Sequence, residues 1–337
     1  MQRSAPSRST WFTISRPLVW LSAALALVPW PTPAQDVPQS VALPTGINTG
    51  GTSFLDGFTR TTPGWGMALY LRHTRSDAIK DSRGNNSPAF RDPKIDVTAG
   101  QFQFIYASDY KVFDGVLGLN MIGALVNLDS SFASDSPAKL SDNGFGLGDF
   151  TIGPYIQMLP VMRNGRPVFS QRFELSAIAP VGSFDRNRNI NQGSGQWSTA
   201  AQWAMTVLPT PNWEISARFN YIYNFRTDKA GNVPEQNGFR FRNGQAGDAA
   251  WVNFAASREV APDIRLGLNG YYLKQLRDDR TNGQRVPGTR QTWFYLGPGA
   301  SWKWKNGDFL NVNLYLPVDV RNASAGNSLN VQYIHTF

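Results

Sequence analysis

The sequence has no cysteine and only two histidines among its 337 residues. Without cysteine, a disulfide framework and a thiolate metal site are both excluded. The two histidines, His73 and His335, fall at opposite ends of the strand set predicted below, so they cannot act as a pair. We therefore expect no cofactor, no metal ion and no catalytic residues. A lipid-modifying barrel enzyme that relies on His73 and a loop serine is kept as an alternative.

Clustered positive charge is also missing. The formal net charge is +8, but the basic residues are spread among loops and do not gather on one helix face. The stretch Gly-Leu-Gly-Asp at 146–149 lacks the strand-to-helix context of a nucleotide-binding loop. We expect no nucleic-acid partner.

Long apolar runs are missing after residue 30. The run LVWLSAALALVPW at 18–30 follows three arginines and precedes the small residue Ala34, which is the pattern of a secretory signal peptide. We expect residues 1–34 to be this peptide, cleaved near Ala34, because the run is shorter than the roughly 20 residues of a membrane helix. If the remaining chain sits in a membrane, it must span it as a closed β-barrel.

What the sequence does have is alternation of apolar and polar residues. In WEISARFNYIYNF at 213–225, one series is apolar and aromatic, while the other carries glutamate, serine, arginine and asparagine. A period of two predicts a strand with one face towards lipid and one towards a wet interior. Twelve such strands are predicted, at 65–75, 95–108, 115–127, 147–159, 167–179, 197–208, 213–225, 249–258, 264–275, 292–304, 308–316 and 328–337.

The lengths of the connections indicate how these strands are arranged. Short connections are predicted at 109–115, 160–166, 209–212, 259–263 and 305–308, and long polar ones at 76–94, 128–146, 180–196, 226–248, 276–291 and 317–327. The two kinds alternate without exception, as in outer-membrane barrels with short periplasmic turns and long external loops. The predicted fold class is all-β, a transmembrane antiparallel up-and-down β-barrel of about twelve strands over residues 63–337.

The ends of the strands and the loops predict location and partners. Aromatic residues near strand ends favour the two lipid–water interfaces of a membrane. The last predicted strand ends on Phe337 and resembles the signal that barrel assembly machinery recognises. Arginines in the loops 185–196, 239–245 and 277–290 predict contact with outer-membrane lipid and lipopolysaccharide. We expect the outer membrane of a Gram-negative bacterium.

Several short motifs resemble one protein family. They are LPTG (43–46), the glycine pair at 50–51, PGW (63–65), GLGDFTIGPYIQ (146–157) and YLGPGASW (295–302). The chain resembles the outer-membrane proteins associated with the meta pathway of phenol degradation, also called the SphA family. The resemblance implies a porin-like channel, often encoded beside the catabolism of aromatic or other hydrophobic compounds, and it supplies no catalytic or ligand residues.

Strand parity predicts which side chains line the lumen. These inward candidates are polar, charged or aromatic, which suits small uncharged or amphipathic solutes. They are Asp149, Tyr155, Gln157, Arg172, Glu174, Gln202, Glu214, Arg218, Asn220, Asn224, Arg265, Asn269, Tyr271, Asn311, Asn313 and Tyr315.

Two Gly-Pro sites interrupt predicted strands on opposite walls. Proline cannot donate a hydrogen bond to the sheet ladder, and interior glycine weakens strand pairing. The candidates for a lateral opening into the membrane are therefore Gly153, Pro154, Gly297, Pro298 and Gly299. The alternative is that both sites only bend the wall.

Residues 35–62 precede the first predicted strand and form either a periplasmic arm or a plug in the lumen. The function that we expect is passive uptake of small, hydrophobic or aromatic compounds through an outer-membrane channel. A barrel with a filled lumen that acts as a structural or lipopolysaccharide-interacting protein remains an alternative.

Overall fold

The computed structural model describes residues 37–44, 47–51, 54–231 and 240–337. The predicted signal peptide and its cleavage site lie outside these residues. In the described part of the chain, no helix is long and apolar enough to cross a membrane.

Twelve antiparallel strands form one closed barrel. They are β1 (Gly64–Ile79), β2 (Lys94–Val112), β3 (Gly115–Ser131), β4 (Phe150–Met158), β5 (Arg166–Ala179), β6 (Ser198–Val207), β7 (Trp213–Asn224), β8 (Ala249–Ala261), β9 (Ile264–Gln275), β10 (Thr292–Lys303), β11 (Phe309–Arg321) and β12 (Ser324–Thr336). Each strand pairs with its neighbours in sequence, and β1 also pairs with β12, from Gly66 opposite Thr336 to Ile79 opposite Ser324. The predicted fold class and strand number are confirmed.

Five short strands lie outside this set. Phe145–Leu147 pairs with β3, and Val161–Arg163 pairs with β5. Gly244–Gln245, Arg280–Thr281 and Gln284–Arg285 form a small three-stranded sheet within the loops.

The connections divide the barrel into a short-turn end and a long-loop end. At the short-turn end, β2 and β3 extend further than predicted and are joined by Phe113 and Asp114 alone. Both residues have positive φ angles, 50° and 60°, which match the twist of a tight hairpin. The predicted long connections 76–94, 128–146, 180–196 and 276–291, and the described residues of 226–248, all lie at the opposite end.

The sixth predicted long loop, 317–327, is wrong. Strands β11 and β12 run through most of it and leave only Asn322 and Ala323 as the connection. Pro317 lies in β11 beside a register shift, where a missing backbone donor is tolerated. The side chain of Asn322 donates to the carbonyl oxygens of Gly288 and Arg290, at 2.8 and 2.7 Å, and so fixes the turn to the neighbouring loop.

The ladder between β11 and β12 stops short of the long-loop end. Their recorded pairing ends at Tyr315 opposite Ser328, although both strands continue. Beyond that point β11 pairs with β10, and β12 pairs with β1. This ladder is therefore shorter than the strands that form it.

The two faces of the wall differ as the alternation predicts. Along β7, Trp213, Ile215 and Phe219 are exposed, while Glu214 and Arg218 are buried. Such a wall, apolar outside and polar inside, is typical of barrels that cross lipid. Trp293 lies near a strand end, where an aromatic residue is expected at the lipid interface, but it faces inward and packs against buried residues of the lumen.

Candidate functional site

The sixteen side chains predicted to line the lumen lie inside the barrel. Fourteen are at most 9% exposed, while Gln202 and Arg265 are half-buried. The structure thus brings these residues to one interior, although fifteen of them come from six different strands and Asp149 comes from a loop.

A part of the chain that is not barrel wall threads this interior. We call residues 37–62 the N-terminal segment, of which 45–46 and 52–53 lie outside the described residues. At the long-loop end, Gln39 donates to Asp279 at 2.8 Å, and the hydroxyls of Ser40 and Thr281 are 2.6 Å apart. Gln196 donates to the carbonyl oxygen of Ala42 at 2.9 Å. These contacts attach the segment to the loops.

Mid-barrel contacts continue along the segment. Leu43 and Ile47 pack in an apolar cluster with lumen-facing residues, including Trp251. The indole of Trp251 and the amide of Asn253 both donate to the carbonyl oxygen of Asn48, at 2.9 and 2.8 Å. The segment is thus held by its backbone as well as by its side chains.

Gly50 lies against the aromatic side chains of the lumen. A Cβ at this position would lie 2.9 Å from the ring of Tyr271, and Gly50 has a φ of 66°. Its amide donates to Asn253, and its carbonyl oxygen accepts from Asn330 at 3.2 Å. Arg72 donates to the carbonyl oxygen of Thr49 at 2.5 Å. Only glycine allows this close approach between segment and wall.

Nearer the short-turn end, the segment makes a buried ion pair. The carboxylate of Asp56 accepts two hydrogen bonds from the guanidinium of Arg218, and both side chains are at most 10% exposed. The amide of Leu55 donates to Glu214 at 3.2 Å. A bidentate pair of this kind fixes orientation as well as position.

Gly57 is enclosed by the wall of the barrel. Its amide donates to Thr206 at 2.8 Å, and its carbonyl oxygen accepts from Gln157 and Ser170 at 3.1 and 2.9 Å. A Cβ on Gly57 would lie 2.4 Å from the backbone nitrogen of Thr206, so no larger residue fits without movement. The predicted lumen residue Gln157 therefore contacts the segment directly.

A cavity of about 320 Å³ remains between the segment and the wall. The segment contributes six residues from Phe54 to Arg60, and the wall contributes β1, β2, β5, β7, β11 and β12. Apolar side chains such as Ile105 and Phe309 share the lining with Arg172 and Arg218. The cavity can therefore contact both an apolar and an anionic group.

The loops hold two carboxyl groups whose pKa values are raised by burial. Burial raises the pKa of Asp279 to about 6, and the neighbouring charge of Asp278 contributes to the increase. Hydrogen bonds from Gly247, Gln39 and Gln275 act in the opposite direction and lower this pKa. Burial also raises the pKa of Asp149, whose carboxylate accepts from the amides of Gly182 and Ser194. Asp149 thus connects loops at the long-loop end.

The two Gly-Pro sites lie within continuous walls. Pro154 has no ladder pair in β5 and Pro298 has none in β11, but the flanking pairs keep the same register. On their other sides, Pro154 lies opposite Leu119 and Pro298 opposite Leu268. Both prolines face outward, whereas Gly153, Gly297 and Gly299 face inward. A Cβ on Gly153 would lie 2.2 Å from the carbonyl oxygen of Leu175, so the adjacent backbone is very close.

Further residues of the site were missed by parity alone. Asp56 and Gly57 lie in a segment without alternation, and Arg72 and Asn253 were not among the predicted lumen residues. Parity could have identified the latter two, since each shares its strand with inward-facing neighbours. In the described ranges, no group of three or more histidine, aspartate or glutamate side chains gathers to hold a metal ion.

Solved structures of other barrels resemble this chain. An outer-membrane channel from Pseudomonas putida F1 is 17% identical, with a TM-score of 0.68 over 85% of this chain and 100% of the other. The β domain of the Bordetella autotransporter BrkA is 11% identical, with a TM-score of 0.49 over 81% and 99%. The first likeness concerns the fold. No protein of curated function matches this chain.

A family model matches residues 76–333, which is most of the barrel. Its range begins within β1 and ends within β12, so it covers eleven complete connections between strands. The resemblance inferred from the short motifs is confirmed. The chain belongs to the family described as "Putative MetA-pathway of phenol degradation".

Proposed function

We propose that this protein is an outer-membrane channel for the passive uptake of small hydrophobic or aromatic compounds in a Gram-negative bacterium. The observation that carries the proposal is a twelve-stranded barrel whose interior retains a cavity of about 320 Å³ with a mixed apolar and polar lining. Ligand sites usually combine an apolar surface with a few polar groups in this way. The family's description supports aromatic compounds as solutes.

The N-terminal segment acts as a plug in this proposal, and not as a periplasmic arm. Its hydrogen bonds to the wall and loops include residues from Gln39 to Gly57, and the segment occupies part of the lumen. Passage requires the segment to shift or to leave space beside it. Residues 1–34 are the signal peptide, cleaved near Ala34, and 63–337 are the barrel.

Partners follow from the same orientation, with the long loops outside the cell. We propose that the loops contact lipopolysaccharide and that β12, through Phe337, is recognised by barrel assembly machinery. Within the loop 276–291, Arg285 and Arg290 already contact the buried carboxylate of Asp278, so lipopolysaccharide contact falls mainly to other basic side chains.

A structural barrel with a filled lumen is the second candidate, and the buried pair of Asp56 with Arg218 favours it. Catalysis has little support from the described histidines. His73 is exposed on the outer face and contacts Thr98, whereas His335 contacts Asp308 at the short-turn end.

An uptake assay with one filled cavity separates the channel from the structural barrel. Ala68 is 3% exposed and lines the cavity, so Ala68→Phe reduces its space, whereas Ala201→Phe adds the same ring to the exposed outer face of β6. Cells that express the wild type or Ala201→Phe should take up a radiolabelled monoaromatic compound faster than cells that express Ala68→Phe. Equal uptake by all three, with equal amounts of folded barrel, would contradict the channel proposal.

A further inference from the structure

The cavity beside the N-terminal segment has an excess of positive charge. Its lining contains Arg60, Arg172 and Arg218 against the single carboxylate of Asp56, which leaves 3 − 1 = +2 with His335 counted as neutral. Arg218 is paired with Asp56, and Arg60 donates to main-chain carbonyl oxygens, including that of Pro63. The charge of Arg172 therefore determines what this cavity can hold.

Arg172 is buried without a carboxylate partner. It is 7% exposed, and among the described residues no carboxylate oxygen lies within 4.0 Å of its guanidinium and none accepts a hydrogen bond from it. Its recorded contact is with the ring of Tyr155, whose centroid is 5.9 Å from the guanidinium carbon. Glu174 lies two residues along the same strand, but it accepts instead from Asn120 and Ser176.

A buried cation without an anion is unfavourable, because the charge has lost water and gained little in return. A ligand carboxylate would supply the missing charge, and the planar fork of arginine can donate two parallel hydrogen bonds to it. A neutral ligand would leave the charge of Arg172 without a compensating anion.

The rest of the cavity lining can contact the apolar part of a ligand. Phe58, Ile105, Phe309 and Ile334 provide apolar area around the same space. The volume of about 320 Å³ lies at the lower end of ordinary ligand sites, which span about 300–1,000 Å³. This size fits a single ring or a short chain and not a fused polycyclic compound.

We propose that this cavity binds small apolar organic anions, such as aromatic carboxylates, with the carboxylate on Arg172. The proposal rests on the channel function above and narrows its solutes to a charge class. It assigns Arg172 as the residue that distinguishes an acid from the alcohol of the same shape.

Equilibrium binding to the refolded full-length protein tests this assignment, with benzoate and benzyl alcohol as probes. The wild type should bind benzoate at least about tenfold more tightly than benzyl alcohol, the minimum expected for charge-assisted hydrogen bonds. Arg172→Gln should remove this preference by weakening benzoate binding alone, and Arg172→Lys should retain part of it. Arg258→Gln is the matched control, since Arg258 contacts the ring of Trp213 at the same 5.9 Å but lies exposed on the outer face.

Three results would overturn the assignment. They are equal affinity of the wild type for both probes, no binding of benzoate, or unchanged benzoate binding in a folded Arg172→Gln variant. If that variant does not fold, the preference of the wild type decides alone. Benzoate binding without uptake in the cell assay would instead contradict the channel function and leave the site in place.

Discussion

The ion pair between Asp56 and Arg218 offers the sharpest test of how the N-terminal segment is held. Both side chains are at most 10% exposed, and the guanidinium donates two hydrogen bonds to the carboxylate. Asp56→Asn keeps the shape of the side chain but removes its charge. Arg218 then stays buried in the wall of β7 without a compensating anion.

The expected effect is large. Removing one partner of a buried ion pair costs about 3–5 kcal/mol, because the other charge remains desolvated and unpaired. Since about 1.4 kcal/mol changes an equilibrium tenfold, the population of barrels with a displaced segment should rise by roughly two to three powers of ten or more. Adding Arg218→Gln should reverse most of this rise, because no unpaired charge is left in the lumen.

Single-channel recording in planar bilayers measures this population as the fraction of time in the high-conductance state. The control is Asp135→Asn, which breaks an exposed pair with Arg91 in the long loops, where such pairs contribute only about 0–1 kcal/mol. Asp56→Asn should open often, and both the double variant and the control should resemble the wild type. Equal opening by Asp56→Asn and Asp135→Asn would refute the docking role of the pair.

Three further predictions concern the segment, the loops and the wall. Gly57→Ala should raise the occupancy of the open state, because the added Cβ has no space. Gly100→Ala is the control, since a Cβ there would have no atom within 4 Å, and the same single-channel recordings compare the two variants. A pKa of about 6 for Asp279, against an ordinary 3.8, means that the folded state binds this proton more tightly than the unfolded state does. Thermal unfolding should therefore show stability falling as pH rises from about 4 to 6, by up to roughly 3 kcal/mol, and Asp279→Asn should lose this dependence. If a lateral opening operates at the Gly-Pro sites, Pro154→Val or Pro298→Val should slow uptake of a hydrophobic solute, and unchanged uptake in both would exclude it.

Most of the barrel could be predicted because a membrane wall imposes a strong pattern. One face must meet lipid and the other the lumen, so most strands show a period of two. β7 shows this clearly, since its exposed and buried residues alternate from Trp213 to Asn224. The family resemblance followed from short motifs in the strands and in the segment that precedes them.

The segment inside the barrel could not be placed from the sequence. Its sequence has no alternation of apolar and polar residues, because its backbone binds irregularly spaced groups such as Trp251 and Thr206. These groups come close together only after the barrel closes. The pairing of Asp56 with Arg218 spans 162 positions and leaves no local signal. The turn at Asn322 was predicted as part of a long loop because the residues around it are polar. Polar residues can also form the ends of strands when a neighbouring loop binds the turn between them.

A reversible cross-link between the segment and the loops tests the central claim most directly. Ser40 and Thr281 have hydroxyls 2.6 Å apart, and the sequence has no other cysteine to interfere with a disulfide formed by Ser40→Cys and Thr281→Cys. The segment would then be fixed at the long-loop end and, through the chain itself, at β1. We predict that the oxidised form takes up aromatic solute more slowly than the reduced form, and that reductant restores uptake. Equal uptake by the oxidised and reduced forms would contradict a channel whose lumen is controlled by this segment.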